Sequence, residues 1–234
     1  MHSVSNLYLS LLADKNHRVE TKLSIAGVEY SQADIVKDSL RIYGGLYSTF
    51  GIGNCCARQI EFEIIPKGEI ARQAEIKVFA RLASGEQVSE WIPKGVFYFA
   101  TRKTDRKTGV LSVHGYDSML KAEQTWLDSS YDAQTWPMPV WTAVNDIAAR
   151  MGVAVDSRTQ LNAAFPVQYP VDDEGDMTMR EALSRVAIAN AGNWIMTDDG
   201  KLLLVGLNSM PAETNYLITE GGSAITFGSV RILV

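Results

Sequence analysis

An α+β fold, mainly antiparallel β, is what this sequence predicts, and three observations predict it. The first 115 residues carry short runs of period-two alternation separated by polar turns. After Gly115 the apolar period lengthens to about 3.6, the helical repeat. A hairpin pattern then follows the second helical stretch.

Val19, Thr21, Leu23 and Ile25 alternate with Glu20, Lys22 and Ser24, and Ala26-Gly27 turns the chain. Ile60, Phe62 and Ile64 alternate with Glu61 and Glu63 until Pro66-Lys67-Gly68 ends the run. Ala74, Ile76, Val78, Ala80 and Leu82 form a third strand, closed by Ala83-Ser84-Gly85-Glu86. Val96 to Arg102 and Val110 to His114 make a further pair around the charged tip Lys103 to Gly109. Strands at this spacing indicate an antiparallel barrel or sandwich.

Beyond Gly115, Asp117 or Ser118 caps a short helix carrying Met119, Leu120 and Trp126 or Leu127. Val140, Val144, Ile147, Ala148 and Met151 share one helical face, and Gly152 stops that helix. Thr178-Met179-Arg180-Glu181 is a capping box opening a helix that buries Leu183, Val186, Ala187 and Asn190 or Ala191, with Gly192 as its stop. Trp194 to Thr197 and Leu202 to Val205 form the hairpin, and Leu217-Ile218, Ile225 to Phe227 and Val230 to Val234 are strand-like. Residues 1–115 thus read as a β unit and 116–206 as an α/β unit. Residues 207–234 return to the first barrel or begin a second one.

Of the 234 residues, 46% are hydrophobic and 21% charged, a globular composition that excludes collagen-like and disordered chains. The net charge of −5 argues against a protein built to grip nucleic acid. That charge is split: residues 1–115 hold 15 Lys/Arg and 12 Asp/Glu, whereas 116–234 hold 7 and 15. Oriented contacts suit such a polarity better than one basic groove does. Neither a signal peptide nor a membrane span is expected, since the apolar start lacks a basic flank and a small-residue cleavage site and no apolar run reaches about 18 residues.

Chemistry-bearing motifs are scarce. His2, His17 and His114 are isolated from one another, and no zinc-ligand spacing occurs. Adjacent Cys55 and Cys56 make no disulfide framework and read as small apolar filling. Gly51-Ile52-Gly53 lacks the third glycine of a dinucleotide fingerprint. Asp172, Asp173, Glu174 and Asp176 are the one dense acidic cluster; they lack the calcium-loop spacing and precede a helix start, where negative charge is favourable without a ligand. No catalytic residue, metal or cofactor is expected.

Several segments are more specific. Ser89-Glu90-Trp91-Ile92-Pro93-Lys94-Gly95-Val96-Phe97-Tyr98-Phe99, the charged turn ending Thr108-Gly109, and Val113-His114-Gly115-Tyr116-Asp117-Ser118-Met119-Leu120 together resemble the N-terminal hub region of phage and prophage tail-tip proteins of Gram-positive bacteria. Phe50-Gly51-Ile52-Gly53-Asn54-Cys55-Cys56-Ala57, Met177 to Leu183 and Asn190 to Ile195 extend the likeness over roughly residues 5 to 234, with Cys55-Cys56 standing where small residues are expected. The family is similar to the baseplate hub of contractile phages.

The resemblance implies a tail-tube-like antiparallel β-barrel with an inserted α/β subdomain, residues 116 to about 206. It implies a non-enzymatic homotrimer that forms a ring on the tail tube, in a virion tail assembled in the host cytoplasm. The implied partners are the tail tube or distal tail protein, the tape-measure protein, and distal spike, fibre or hydrolase modules; membrane and sequence-specific nucleic acid are not among them. Arg102, Lys103, Arg106, Lys107 and Trp91 are the expected interface residues, and Asp172, Asp173, Glu174 and Asp176 are expected to face the channel. A hub module of a tail-associated peptidoglycan hydrolase, using His114, and a carbohydrate-binding tail module are the alternatives.

Overall fold

The computed structural model describes residues 4–44, 51–126, 136–168, 177–206, 226–227 and 230–231. Its main element is an eight-stranded antiparallel sheet: β1 (Arg18–Ile25), β2 (Val28–Tyr30), β3 (Arg41–Tyr43), β4 (Gln59–Ile64), β5 (Glu75–Ser84), β6 (Gln87–Val88), β7 (Ile92–Thr104) and β8 (Leu111–Asp117). The strand order is β2-β1-β5-β7-β8-β4-β3, with β6 on the free end of β5. The alternation seen in the sequence sets the inner face: Leu23 and Ile25, Ile60, Phe62 and Ile64, Ile76 and Val78, Phe97, Leu111 and Val113 are buried in one cluster.

Ladder pairs run from β2 to β3 without joining the two edges among the described residues. Those edges nevertheless approach each other. Ile35, just past β2, bridges Ile64 of β4, and the Val36 N–H donates to the Glu63 carbonyl at 2.8 Å. Lys67, just past β4, reaches back to β2 through its N–H to the Tyr30 hydroxyl (3.2 Å) and its Nζ to the Glu29 carbonyl (2.9 Å).

Two glycines make the central strands possible. Gly95 has φ +151°, and a Cβ there would stand 2.3 Å from the Phe97 ring, where the β5–β7 register slips by one residue. A Cβ on Gly115 would stand 2.5 Å from the Tyr98 carbonyl oxygen. Both lie inside the segments that carry the family resemblance.

The second core belongs to α2 (Val140–Met151), α3 (Met179–Ala189), the hairpin β9 (Gly192–Met196) and β10 (Leu202–Gly206), and a 3-10 helix over Ser118–Glu123. Trp126 and Trp194 are fully buried within it. Asp117 caps the 3-10 helix by accepting from the Met119 N–H at 3.0 Å, Gly152 ends α2 at φ 70°, and the Thr178/Glu181 capping box opens α3. In the 3-10 helix Leu120 is 42% exposed, because on a three-residue repeat Met119 and Ala122 take the inward face. One expectation needs correcting. Gly192 does not stop α3, which ends at Ala189; it opens β9 opposite Gly206.

The segment 53–55 belongs to this second core. Cys55 bridges Trp194 in parallel, Gly53 N–H donates to Gly192 O and Trp194 N–H to Asn54 O, each at 2.8 Å. On the far side Val155 bridges Leu202, also in parallel. The hairpin therefore sits between two added strand segments, both from earlier in the chain. Residues 226–227 and 230–231 form a short two-stranded ladder with each other.

Just beyond Val155, Asp156 is buried and accepts from the Arg158 N–H (2.9 Å), Nε (2.8 Å) and Nη2 (2.9 Å). The guanidinium and the backbone N–H hold its carboxyl down at about 2, against an ordinary value of 3.8. A depressed carboxylate stabilises the fold above its unfolded-state value and loses that contribution as pH falls toward the folded one. Asp156→Asn is expected to cost about 1–2 kcal/mol at neutral pH and almost nothing near pH 2. Urea unfolding at both pH values measures the difference; an equal loss at both would show that the pair is not what Asp156 contributes.

Candidate interface

The long β7–β8 hairpin positions the predicted contact residues. Its tip is built by Asp105, which accepts from the Lys107 N–H at 2.8 Å while its own N–H donates to Val110 O and its carbonyl accepts from Gly109 N–H. The Lys107 N–H and the Thr108 hydroxyl hold the Asp105 carboxyl below its ordinary range. Arg106 and Lys107 project from this turn into solvent, and Lys103 is exposed one pair below it. Arg102 differs: its Nη1 donates to the Ile70 carbonyl at 2.6 Å, which pins the hairpin to the loop before β5.

Trp91 is not part of that cluster. It precedes β7, whose 13 residues separate it from the tip by roughly 40 Å. There it is half-buried beneath two cations, with Arg81 at 4.5 Å and Lys22 at 5.1 Å from the ring centroid. Arg81 is held by Glu20, which accepts from Nε at 2.9 Å and Nη2 at 2.7 Å. Of the five expected interface residues, Trp91 thus stands at the far end of β7 from the other four. Asp172, Asp173, Glu174 and Asp176 lie outside the described residues.

The tip opens onto the outer face of the sheet through two adjoining depressions of about 670 and 520 Å³, which share Val36, Glu63, Lys103 and Ser112. Register aligns the side chains there in rows. Arg41, Glu61, His114 and Thr101 occupy successive strands, as do Tyr43, Gln59, Tyr116 and Tyr98. His114 meets the Tyr116 ring edge-on at 4.8 Å, and Lys121 lies 4.1 Å over Tyr98. Tyrosine and arginine rows of this kind are typical of protein contact surfaces. They were missed because Tyr43 lies in a three-residue strand that the sequence did not announce.

The same face gives little to catalysis. The Ser112 hydroxyl donates to Glu63 at 2.8 Å rather than to His114. Among the described residues no group of three or more His, Cys, Asp or Glu side chains stands close enough to hold a metal ion. Neither cysteine forms a disulfide; Cys55 packs in the second core, and burial pushes its thiol up to about 12, far from a reactive thiolate. A cleft of about 780 Å³ beside Cys56 is lined by Gln59, Arg180, Ser184 and Arg185, but Arg180 is occupied by Cys55 O, Met119 O and the Glu123 carboxylate.

The two cores are joined by Arg58, which sequence reading passed over as one of many surface-type arginines. Its N–H and Nε both donate to Asp117 Oδ2 (3.0 and 3.4 Å), Nη1 to Asp198 (2.6 Å) and Nη2 to Thr197 O (3.1 Å), above the Phe97 ring. Asp117 is fully buried at its side chain, and that burial raises its carboxyl despite the arginine.

No protein-family model matches this sequence, and no curated protein matches it. Solved structures do. The crystal structure of the prophage MuSo2 43 kDa tail protein from Shewanella oneidensis matches at TM-score 0.55 and 14% identity, over 81% of this chain and 56% of that one. The tail protein from Neisseria meningitidis MC58 matches at TM-score 0.53 and 15% identity, over 80% and 51%. Prophage tail protein gp18 from Listeria monocytogenes EGD-e is more distant, at TM-score 0.48 and 11% identity over 86% and 55%. This chain spans about half the length of the tail proteins it matches, and over four-fifths of its own length it has the fold of the first two.

Proposed function

We propose that this chain is a structural component of a phage or prophage tail, the hub module of a tail tip or baseplate. The observation that carries the reading is the fold shared with two tail proteins over about 80% of the chain. The Glu90-Trp91-Ile92-Pro93 and Gly115-Tyr116-Asp117 segments, which resemble the hub region of tail-tip proteins of Gram-positive bacteria, support the hub assignment. In this reading the curled sheet is a tail-tube-like barrel whose edges meet at Ile35–Ile64 and Lys67. Residues 116–206 are its insertion. Three copies form a ring through one heterologous patch repeated about the axis.

The hairpin tip meets the tube or a neighbouring subunit, Asp172 to Asp176 face the channel, and distal spike, fibre or hydrolase modules attach below. The chain itself works by surfaces rather than by catalysis. The hydroxyl of Ser112 committed to Glu63, and a histidine flanked by Tyr116, support that assignment over a hydrolase centred on His114.

Antibody raised against the chain should label one end of tails purified from the source strain, and dissociated tips should release it in multiples of three copies. Tails that lack the protein would overturn the proposal.

A further inference from the structure

Strand β1 has eight residues, and its neighbour β2 covers only three of them, Leu23, Ser24 and Ile25. The two-residue turn Ala26-Gly27 has φ 50° and 83°, so Ile25 and Val28 close the hairpin as a hydrogen-bonded pair. Alternation then fixes where each backbone group of β1 points. Ile25 and Leu23 turn theirs to β2, and the residues between turn theirs to β5, as the Ala26 N–H does to Glu75 O at 3.0 Å. Thr21 and Val19 continue the first set, and no described residue pairs with their N–H and C=O groups on that side.

The edge is open because β2 ends early. After Tyr30 the Ser31 N–H and hydroxyl both donate to Asp34 (2.7 and 2.8 Å), which turns the chain away. A slot of about 600 Å³ is left between residues 20–22 and residues 30–33. An unused edge is ordinarily blunted by a proline, a bulge or an inward-pointing charge. Residues 18–22 have none of these: their register with β5 is continuous, and Val19 points to the face that buries Leu23 and Ile25. Val19 is nevertheless 52% exposed, since it lacks the neighbour that β2 gives the other two.

We infer that this slot accepts an extended segment of a partner protein, uncharged and apolar on alternate residues, which adds to the sheet as an antiparallel strand beside β1. The inner row selects the apolar side chains, because residues across from Val19 and Thr21 share their face. The outer row selects against charge. Glu20 already accepts from Arg81 (2.9 and 2.7 Å) and Arg18 (3.1 Å), and Lys22 donates to Glu29 at 2.7 Å, so a charge laid among them would be desolvated without a partner. A second copy of β1 does not fit. Helix α1 (Asn6–Ala13) leads into β1 through a turn held by the His17 N–H to Asp14 O (3.2 Å) and the Ser84 hydroxyl to the Asp14 carboxylate (2.6 Å). Antiparallel pairing of two copies over 18–22 would bring residues 15–17 of each opposite residues 23–25 of the other, where β2 already lies.

Amide hydrogen exchange of the purified chain, with and without the probe acetyl-Ser-Val-Thr-Val-Thr-Val-Ser-amide, tests this. At saturation the Val19 and Thr21 amides are expected to exchange at least about tenfold more slowly, and those of Glu20 and Lys22, which face β5, to be unchanged. N-methylation of the probe separates strand addition from a loose apolar contact. Methylating the valine amides, which face β1 in an antiparallel pair, is expected to weaken binding at least about tenfold, and methylating the threonine amides to leave it intact. Glutamate or lysine in place of the threonines is expected to weaken it by a similar factor. Absence of protection at Val19 and Thr21, equal binding by the two methylated probes, or equal binding by the charged ones overturns the inference. So does protection that grows with protein concentration in the absence of probe, which would give the edge to a second copy. Labelling of tails judges the tail reading separately, since the open edge does not depend on it.

Discussion

Arg58→Met is expected to lower the unfolding free energy by about 3–5 kcal/mol, the cost of leaving a buried charge without its partner. The charge is that of Asp117, whose side chain has no exposure and whose Oδ2 receives both the backbone N–H and the Nε of Arg58. Removing the guanidinium also takes away one of the two donors of the Thr197 carbonyl, which accepts from Nη2 at 3.1 Å and from the Gly200 N–H at 3.0 Å. Burial already raises the Asp117 carboxyl, and without the arginine it rises further. A raised carboxyl favours the fold below its unfolded-state value and loses that advantage as pH climbs through the folded one. The defect should therefore be largest at neutral pH and shrink in acid. Arg58→Met/Asp117→Asn removes the stranded charge and should recover roughly half of the loss. Urea unfolding of the three proteins at two pH values measures this, and a single variant within about 1 kcal/mol of wild type would refute the bridging role of Arg58.

Trp194→Ala is expected to cost about 4–5 kcal/mol, at the upper end for an aromatic truncated in a core. The indole has no exposure, lies between α3 and the segment carrying Cys55, and donates from Nε1 to the Leu183 carbonyl at 2.8 Å. Two losses combine: a cavity the size of most of an indole, and the second hydrogen bond to a carbonyl inside α3. Trp194→Phe separates them, since it refills much of the volume but offers no N–H; a cost of about 1–3 kcal/mol is expected for it. Should the phenylalanine variant be as unstable as the alanine one, the hydrogen bond rather than the volume would be what Trp194 contributes.

What the sequence revealed and what it concealed follow from how far apart the interacting residues are. Strands β4, β5, β7 and β8 and both long helices are written in local periodicity, and the caps at Asp117, Gly152 and Thr178 are written in single residues. Helix α1 escaped notice because Leu7 to Leu12 alternates too densely to show a face, and only its end contacts with Glu90 and Ser84 fix it. Strands β2 and β3 are three residues long, too short for a period. Val19 followed the alternation faithfully and is still exposed, because periodicity fixes which face a side chain takes and not how far along the strand the core extends.

The candidate surface was legible in part. The basic tip could be read from composition, since a run of like charges at a turn stays in solvent. Its separation from Trp91 could not, because it depends on β7 running for 13 residues without a break. Arg58 illustrates the other limit. Its partners lie 36 to 140 positions away, and nothing beside it in the chain distinguishes it from an exposed arginine.

The pairing of Gly53 to Cys55 with Gly192 to Trp194 also governs how the chain comes together. This contact closes a loop of about 140 residues, so the small sheet is completed late, after residues 1–194 have emerged and the eight-stranded sheet has had time to form. A polypeptide cut to 116–206 would present β9 with an open edge where residues 53–55 belong, a template for unwanted strand addition. The α/β part is therefore finished by a piece of chain made well before it, and a synthetic peptide covering 51–57, supplied in trans, is the reagent that would cover that edge.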